Sequence, residues 1–264
     1  MSFHSNVLET IGNTPMVELT KFDTGPCRLF AKLENQNPGG SIKDRPALSM
    51  VEAAEKSGAI KPGGTLIEAT AGNTGLGLAL VARQKGYRLV LVIPDKMSQE
   101  KIFNLQAMGA EVLLTRSDVG KGHPEYYQDM ALRLNGEIEN SVFINQFGNL
   151  ANPLAHETST GPEIWAQMSH RMDAMVCGVG SGGTITGLGR FFKKVAPDLE
   201  MVLADPEGSI LADYVNKGEI GDLGSWLVEG IGEDFIPDVS DLSLVSSAYT
   251  VPDKEAFLTA RKLL

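Results

Sequence analysis

Short apolar runs of strand length alternate along this chain with segments of helical period, and this alternation constrains the fold more than any other feature. The clearest runs are residues 89–93, 111–115, 174–177 and 200–204. Apolar positions recur every three to four residues in the segments 98–108, 124–134 and 186–195. Strands connected through helices are typical of parallel sheets with helices on both faces, so we predict an α/β fold. In such folds ligands bind beyond the carboxyl ends of the strands, which directs attention to the glycine-rich turns.

Composition and charge argue against several classes of protein. The chain has 264 residues and a net charge of -10 without a basic cluster, so we predict no nucleic-acid partner. The longest aliphatic run, residues 89–93, is too short to cross a bilayer, and residues 1–12 do not form a signal peptide. Cys27 and Cys177 allow at most one disulfide, and no metal site is predicted. We therefore expect a cytoplasmic protein without a membrane partner.

The first candidate site lies in residues 37–45, which read Asn-Pro-Gly-Gly-Ser-Ile-Lys-Asp-Arg. Ser41 followed by Asp44 predicts a capping box that opens a helix; because Pro46 lacks an N–H, Asp44 itself is the alternative cap. Either cap places Lys43 at or beside the helix start. There the positive end of the helix dipole and burial disfavour a protonated amine, and a neutral lysine is nucleophilic. On this motif alone, a surface lysine in an ordinary cap is the more frequent case.

A second candidate site lies in residues 68–75, Glu-Ala-Thr-Ala-Gly-Asn-Thr-Gly, between a predicted strand at 65–67 and a helical run at 76–85. Hydroxyl, amide and backbone N–H groups at a helix N-terminus can hold a carboxylate or a phenolate. The alternative is an ordinary N-cap, with Thr70 or Asn73 as the capping residue.

The third candidate is the glycine turn, residues 178–187, which follows the predicted strand 174–177 and reads Gly-Val-Gly-Ser-Gly-Gly-Thr-Ile-Thr-Gly. Backbone amides and hydroxyls at a helix start predict a phosphate site. The spacing of Gly178, Gly180 and Gly183 also matches the dinucleotide fingerprint, and Asp205 lies where that fingerprint has a ribose-binding acid. A phosphate is therefore predicted, and the motif leaves open which cofactor carries it.

The fourth candidate is a cluster of amides in residues 145–149, Asn-Gln-Phe-Gly-Asn, which continues through Asn152 to His156. Amides donate hydrogen bonds to a carboxylate without adding charge, which suits a zwitterionic substrate. Ordinary turn chemistry is the alternative, since turns also favour asparagine and glycine.

The order of these four segments resembles the cysteine synthase and cystathionine β-synthase family, and so do residues 11–15 (Ile-Gly-Asn-Thr-Pro) and 229–232 (Glu-Gly-Ile-Gly). The resemblance covers nearly the whole chain. Residues 205–211 and 229–237 are more similar to the cystathionine β-synthase branch. The resemblance implies two lobes, each a mostly parallel twisted sheet with helices on both faces, as in the tryptophan synthase β-subunit. A smaller, mobile substrate-binding lobe would comprise residues 43–147, and a larger lobe that binds the cofactor phosphate would comprise 1–42 and 148–264.

The resemblance also implies roles for individual residues. Lys43 would bond covalently to the aldehyde of pyridoxal 5'-phosphate, and Asn73 would hydrogen-bond its 3′-oxygen. The phosphate would be held by Gly180, Ser181, Gly182, Gly183 and Thr184, and Gly230 would line the cofactor face. The substrate carboxylate would be bound by Thr70, Ala71, Gly72, Asn73, Thr74 and Gln146. Ala71 stands where many relatives have serine, so one hydroxyl near the substrate is missing.

The activity implied is a pyridoxal-phosphate-dependent replacement of the β-substituent of serine or O-acetylserine by a thiol. Homocysteine is the acceptor in the cystathionine β-synthase branch, and sulfide is the acceptor in cysteine synthases. The open alternatives are a serine or threonine dehydratase of the same fold, a non-catalytic binding protein and a nicotinamide-dependent oxidoreductase. The small-molecule partners would be an amino acid and a thiol.

The resemblance further implies a homodimer. A last helix is predicted from residue 251, and it reaches Leu264 without a capping glycine. The hydroxyl that the family places opposite the pyridine nitrogen has no counterpart before Leu264. We therefore expect the larger lobe to continue beyond this sequence.

Overall fold

A computed structural model describes residues 3–70 and 72–263, in which strands and helices alternate. The strands are β1 Met16–Glu18, β2 Phe30–Lys32, β3 Thr65–Ala69, β4 Arg88–Pro94, β5 Glu111–Thr115, β6 Ser141–Phe143, β7 Ala174–Cys177, β8 Glu200–Pro206 and β9 Ser247–Val251. The helices are α1 Asp44–Ser57, α2 Asn73–Lys85, α3 Gln99–Ala107, α4 Tyr127–Glu137, α5 Ala151–Ala155, α6 Gly161–Gln167, α7 Gly183–Val195, α8 Leu211–Lys217 and α9 Asp253–Leu263.

The chain divides into two compact units, the first ending at Gln146 and the second beginning at Phe147. The first contains a parallel sheet of order β5-β4-β3-β6, and the second a parallel sheet of order β7-β8-β9. The predicted α/β fold with parallel sheets flanked by helices is confirmed. The predicted assignment of residues 1–42 to the larger lobe remains a prediction. Across the described ranges, no helix combines the length and apolar character that a membrane crossing requires.

Successive strand residues point to opposite sides of the first sheet, so its apolar strands present apolar side chains on both faces. Helices cover both of these faces. Helix α4 closes one face through a buried apolar cluster formed by Ile67, Ala69, Val90, Val92 and Ala131. On the other face, Gly75 of α2 lies against Leu91 of β4 and Leu105 of α3. β3 is buried along its whole length and β4 along its middle five residues, a pattern typical of the centre of a parallel sheet.

The segment before α1 is tied to the start of that helix by a buried ion pair. Arg45 donates to both carboxylate oxygens of Glu34, at 2.7 and 2.8 Å. The Thr14 hydroxyl also donates to Glu34, at 2.6 Å. These bonds hold the β1–β2 hairpin-like pair and the first turn of α1 in one arrangement.

Candidate active site

Lys43 lies at the start of α1, as its N-cap residue. Its N–H donates to the Ser41 hydroxyl at 3.2 Å, whereas the Asp44 carboxylate accepts from the Gly39 N–H at 2.5 Å. The predicted capping box is therefore wrong, and so is the alternative of Asp44 as the cap. Asp44 is the first residue of the helix, and its side chain folds back onto Gly39 instead of onto Ser41. The lysine is half-buried, at the position the sequence predicts for it.

Asp44, the neighbour of Lys43, is a fully buried carboxyl group. Burial raises the pKa of Asp44 to about 6; the Gly39 N–H opposes this rise, and the charge of Glu34 adds to it. Its Oδ1 atom has no hydrogen-bond partner among the described residues. A Cβ at residue 39 would collide with this carboxyl group, so Gly39 is required for the close approach.

Gly77 allows α1 and α2 to meet at the candidate lysine. A Cβ added at Gly77 would lie 3.0 Å from the Lys43 carbonyl oxygen and 3.1 Å from Ala47. Because Asn73 begins the same helix α2, this contact places Lys43 and Asn73 on adjoining helices of one unit. Gly77 is not among the residues predicted from the sequence; a glycine inside a helical run is the signal that could have found it.

The loop before α2 brings together several of the predicted substrate-binding residues. Gly72 is the N-cap of α2 without a side-chain cap, so the predicted alternative of a Thr70 or Asn73 cap is wrong. The Thr70 hydroxyl instead accepts from the Gly72 N–H at 3.2 Å. The buried hydroxyl of Thr74 donates to the Gln146 side-chain oxygen at 2.7 Å. Ala71 lies outside the described residues.

Glu68 is a buried acid that the sequence analysis did not assign to the site. It lies in β3 and is 1% exposed. One carboxylate oxygen accepts from the Ala69 N–H at 2.8 Å, and the other accepts from the Gln146 N–H at 3.0 Å. Burial raises the pKa of Glu68 to about 7, although both backbone hydrogen bonds lower it. An acid inside an apolar strand was the available signal.

In the second unit, the glycine turn leads directly into α7. Gly182 is its N-cap with a φ of 81°, a left-handed conformation that favours glycine. A Cβ at Gly180 would lie 2.6 Å from the carbonyl oxygen of Gly230, so the structure brings these two predicted residues together. A Cβ at Gly183 would overlap the Asn152 side chain. The turn is a cradle in which only backbone fits at these positions.

Two side chains outside the turn hold its hydroxyl groups. The Asn152 amide donates to the Ser181 hydroxyl at 3.0 Å. His156 Nε2 lies 3.4 Å from the Thr184 hydroxyl, and its Nδ1 lies 3.0 Å from Thr160. The sequence analysis grouped Asn152 and His156 with the candidate substrate amides; in the structure, both contact hydroxyl-bearing residues of the glycine turn. The short α5 and the π-helical turn His156–Thr160 position them.

Asp205 has a structural role that competes with the ribose-binding alternative. Its buried carboxylate accepts from the Ala212 N–H at 2.9 Å, which satisfies a backbone donor in the first turn of α8. Burial raises the pKa of Asp205, and hydrogen bonds from Ala212, Ser209 and Leu211 oppose this rise. The helix start therefore accounts for this acid without a dinucleotide.

The model of one family, described as pyridoxal-phosphate dependent enzyme, matches residues 7–264. The chain belongs to this family. The predicted cofactor is thereby confirmed, and its single phosphate is compatible with the glycine spacing. Within the second unit, the cradle fits that phosphate: backbone N–H groups and the Ser181 and Thr184 hydroxyls gather at the start of the 13-residue helix α7.

Relatives in the family carry two names. The chain is 46% identical to a cystathionine beta-synthase of Oryctolagus cuniculus, over 98% of this chain and 47% of that protein. It is 43% identical to cysteine synthase 1 of Emericella nidulans, over 96% of this chain and 70% of that protein. The crystal structure of a hydrogen sulfide-producing enzyme from Fusobacterium nucleatum matches with a TM-score of 0.90 and 36% identity, over 100% of this chain and 84% of that one. The chain spans about half the length of the cystathionine beta-synthases.

Proposed function

We propose that the protein replaces the β-substituent of serine or O-acetylserine with a thiol, with homocysteine as the acceptor. The observation that carries the proposal is the buried Thr74–Gln146 pair at the start of α2, beside Asn73. A hydroxyl and an amide at a helix N-terminus suit the carboxylate of an amino-acid substrate. The similarity to proteins named cystathionine beta-synthase and cysteine synthase supports the same activity.

The cofactor, when bound, accepts the electron pair left on the substrate Cα when its proton departs. Lys43 would hold the cofactor aldehyde covalently, and its amine, once released by the substrate, would remove the Cα proton and later return it. The phosphate would be bound by Gly180, Ser181, Gly182, Gly183 and Thr184. Gly230, whose carbonyl adjoins Gly180, would line the cofactor face.

The residues around the start of α2 would bind the 3′-oxygen of the cofactor and the carboxylate of the substrate. Asn73, the first residue of α2, would donate its side-chain amide to the 3′-oxygen of the cofactor, as the family resemblance implies. The substrate carboxylate would be bound by Thr70, Gly72, Asn73, Thr74 and Gln146. Ala71, which has no hydroxyl, leaves one donor fewer at this subsite than in relatives with serine.

Replacing Asn73 by alanine is expected to lower turnover about ten- to a hundredfold, the cost of one hydrogen bond to a charged oxygen. The covalent attachment at Lys43 should persist. Turnover and the visible absorbance of the purified protein, measured together, test this expectation. Asn104→Ala, on the exposed surface of α3, is the matched control. Normal turnover of Asn73→Ala would remove Asn73 from the site.

Product analysis distinguishes the two candidate acceptors. We expect cystathionine as the main product when serine or O-acetylserine is supplied with homocysteine and sulfide together. A cysteine synthase is the second candidate, favoured by the chain's coverage of 70% of the Emericella nidulans protein of that name. Cysteine as the sole product would establish that alternative. An α-keto acid formed without any thiol would refute both.

The proposal also covers the division of the chain into lobes and its oligomeric state. The mobile substrate lobe would comprise residues 43–147, and the division of the chain after Gln146 supports its second boundary. The larger lobe would comprise residues 1–42 and 148–264. A homodimer in the cytoplasm agrees with the family resemblance, and sedimentation velocity would test the dimer.

A further inference from the structure

Glu68 connects the end of β3 to the segment that follows β6. The parallel ladder between these strands pairs Ile67 with Phe143, and the Ile144 N–H donates to the Ile67 carbonyl at 2.9 Å. Beyond this point Asn145 adopts a left-handed conformation, with a φ of 53°. The chain therefore turns away from the regular strand conformation, and the next N–H, that of Gln146, is satisfied by the Glu68 side chain at 3.0 Å.

This bond determines where the Gln146 side chain can reach. Gln146 is buried, and its amide oxygen accepts from Thr74 in the first turn of α2. A continuous series of hydrogen bonds thus runs from Glu68 through the Gln146 main chain and side chain to Thr74. If the Gln146 main chain shifts, the Thr74 hydroxyl in the first turn of α2 loses its acceptor.

We propose that Glu68 is a positioning residue: its carboxylate holds the Gln146 main chain, and the Thr74 hydroxyl holds the Gln146 side-chain oxygen, so that the Gln146 side-chain NH₂ group is aligned for the substrate carboxylate. The substrate part of this inference rests on the proposed function. The link between Glu68 and Gln146 does not, and it can be measured separately.

The ionised form of Glu68 is the form that suits two backbone donors, since a carboxylate is acceptor-only. The elements packed around β3 carry ionisable groups at their ends or on exposed faces: Arg88 on β4, Arg83 and Lys85 on α2, and Asp129, Arg133 and Glu137 on α4. The causes of the raised pKa of Glu68 are burial, opposed by the two N–H groups, without a contribution from a charged side chain of the described residues. This group therefore titrates near neutral pH, where proton uptake weakens its hold on Gln146.

Glu68→Gln tests the inference with little change of shape. The new NH₂ group must face one of the two backbone N–H donors, so one bond is lost. We expect faster hydrogen–deuterium exchange of the Gln146 amide in the holoenzyme. We also expect the KM for the amino-acid substrate to rise about ten- to a hundredfold, with a smaller change in kcat. Glu111→Gln, at the exposed first residue of β5, is the matched control. Unchanged exchange at Gln146 in Glu68→Gln would overturn the inference.

The pH dependence of the wild-type enzyme, compared with that of Glu68→Gln, provides a second test. The KM should rise as the pH falls through about 7, because Glu68 gains a proton.

The stability of the folded protein should respond to pH in the opposite sense, so that the protonated form of Glu68 binds substrate less well but is the more stable form. With a folded pKa above the ordinary 4.5, folding favours the protonated form, so this group's contribution to stability decreases as the pH rises from 4.5 to 7. Between pH 4.5 and 7, the melting temperature of Glu68→Gln should therefore fall less than that of the wild type. Asp44 and Asp205 are present in both proteins, so their effects cancel in this comparison. If the KM of the wild type and the KM of Glu68→Gln depended on pH in the same way, the inference would be contradicted.

Gln146→Ala separates failure of the inference from failure of the proposed function. If Gln146→Ala leaves the KM unchanged, the substrate subsite is wrong, and with it the substrate part of the inference. If Gln146→Ala raises the KM but Glu68→Gln does not, the subsite stands and the positioning role of Glu68 is refuted.

Discussion

Lys43→Ala is expected to lose nearly all turnover, by a factor of at least about a thousand. In the proposed role of Lys43, the substitution would remove both the covalent holder of the cofactor and the proton carrier at the substrate Cα, and proton transfer by a positioned side chain alone contributes about 10²–10⁴-fold. Lys43 is half-buried at the N-cap of α1, and its main-chain carbonyl lies against Gly77 of α2, so it is less exposed than an ordinary surface lysine. Turnover with serine or O-acetylserine and homocysteine measures the effect.

The covalent bond can be measured independently of turnover. Borohydride reduction should attach the cofactor irreversibly to a peptide containing Lys43 in the wild-type protein, and to no peptide in Lys43→Ala. Lys56→Ala, near the exposed end of the same helix, is the control and should behave as wild type. A Lys43→Ala protein with full turnover would refute the assignment of this lysine.

Arg45→Met is expected to destabilise the protein by about 3–5 kcal/mol, the usual cost of leaving one partner of a buried ion pair uncompensated. The side chains of Arg45 and Glu34 are only 2% and 12% exposed. Burial alone would raise the pKa of Glu34, but hydrogen bonds from Arg45 and Thr14 outweigh it and hold the pKa below its ordinary value. Without Arg45 that pKa should rise above its ordinary value, so the deficit should shrink as the pH falls.

Urea unfolding at two pH values measures this deficit. The double variant Glu34→Gln/Arg45→Met removes the unpaired charge and should recover part of the stability, which gives the coupling energy of the pair. Arg88→Met breaks the exposed Arg88–Glu111 pair and should change stability little, because solvent screens such pairs. A loss below about 1 kcal/mol in Arg45→Met would mean that Glu34 finds another partner or solvent.

Much of the secondary structure follows from local patterns. The predicted strands 111–115 and 174–177 coincide with β5 and β7, and the last predicted helix corresponds to α9. The helix caps were predicted less well. Ser41, Asp44 and Thr70 each offer several local hydrogen bonds of similar energy, and packing selects among them. The bond from Gly39 to Asp44 depends on a turn whose shape no pair of residues specifies alone.

In the candidate site too, features that depend on neighbouring residues were predicted, and contacts between distant segments were not. The glycine turn was identifiable because a phosphate cradle needs consecutive residues at one helix start. The contacts of Asn152 with Ser181 and of His156 with Thr184 join residues 29 and 28 positions apart. No periodicity or motif reports such pairs. The sequence therefore indicated the region that contains Asn152 and His156, but not their contacts with Ser181 and Thr184.

The sequence by itself determined the α/β class, the position of Lys43 at the start of α1 and the glycine turn before α7, because each depends on interactions within a few residues. Only the tertiary structure decided that Glu68 supports Gln146, that Gly77 admits Lys43 and that Asp205 serves α8. The physical reason is burial. A buried polar group must find a partner, and which partner is within reach depends on how distant segments pack.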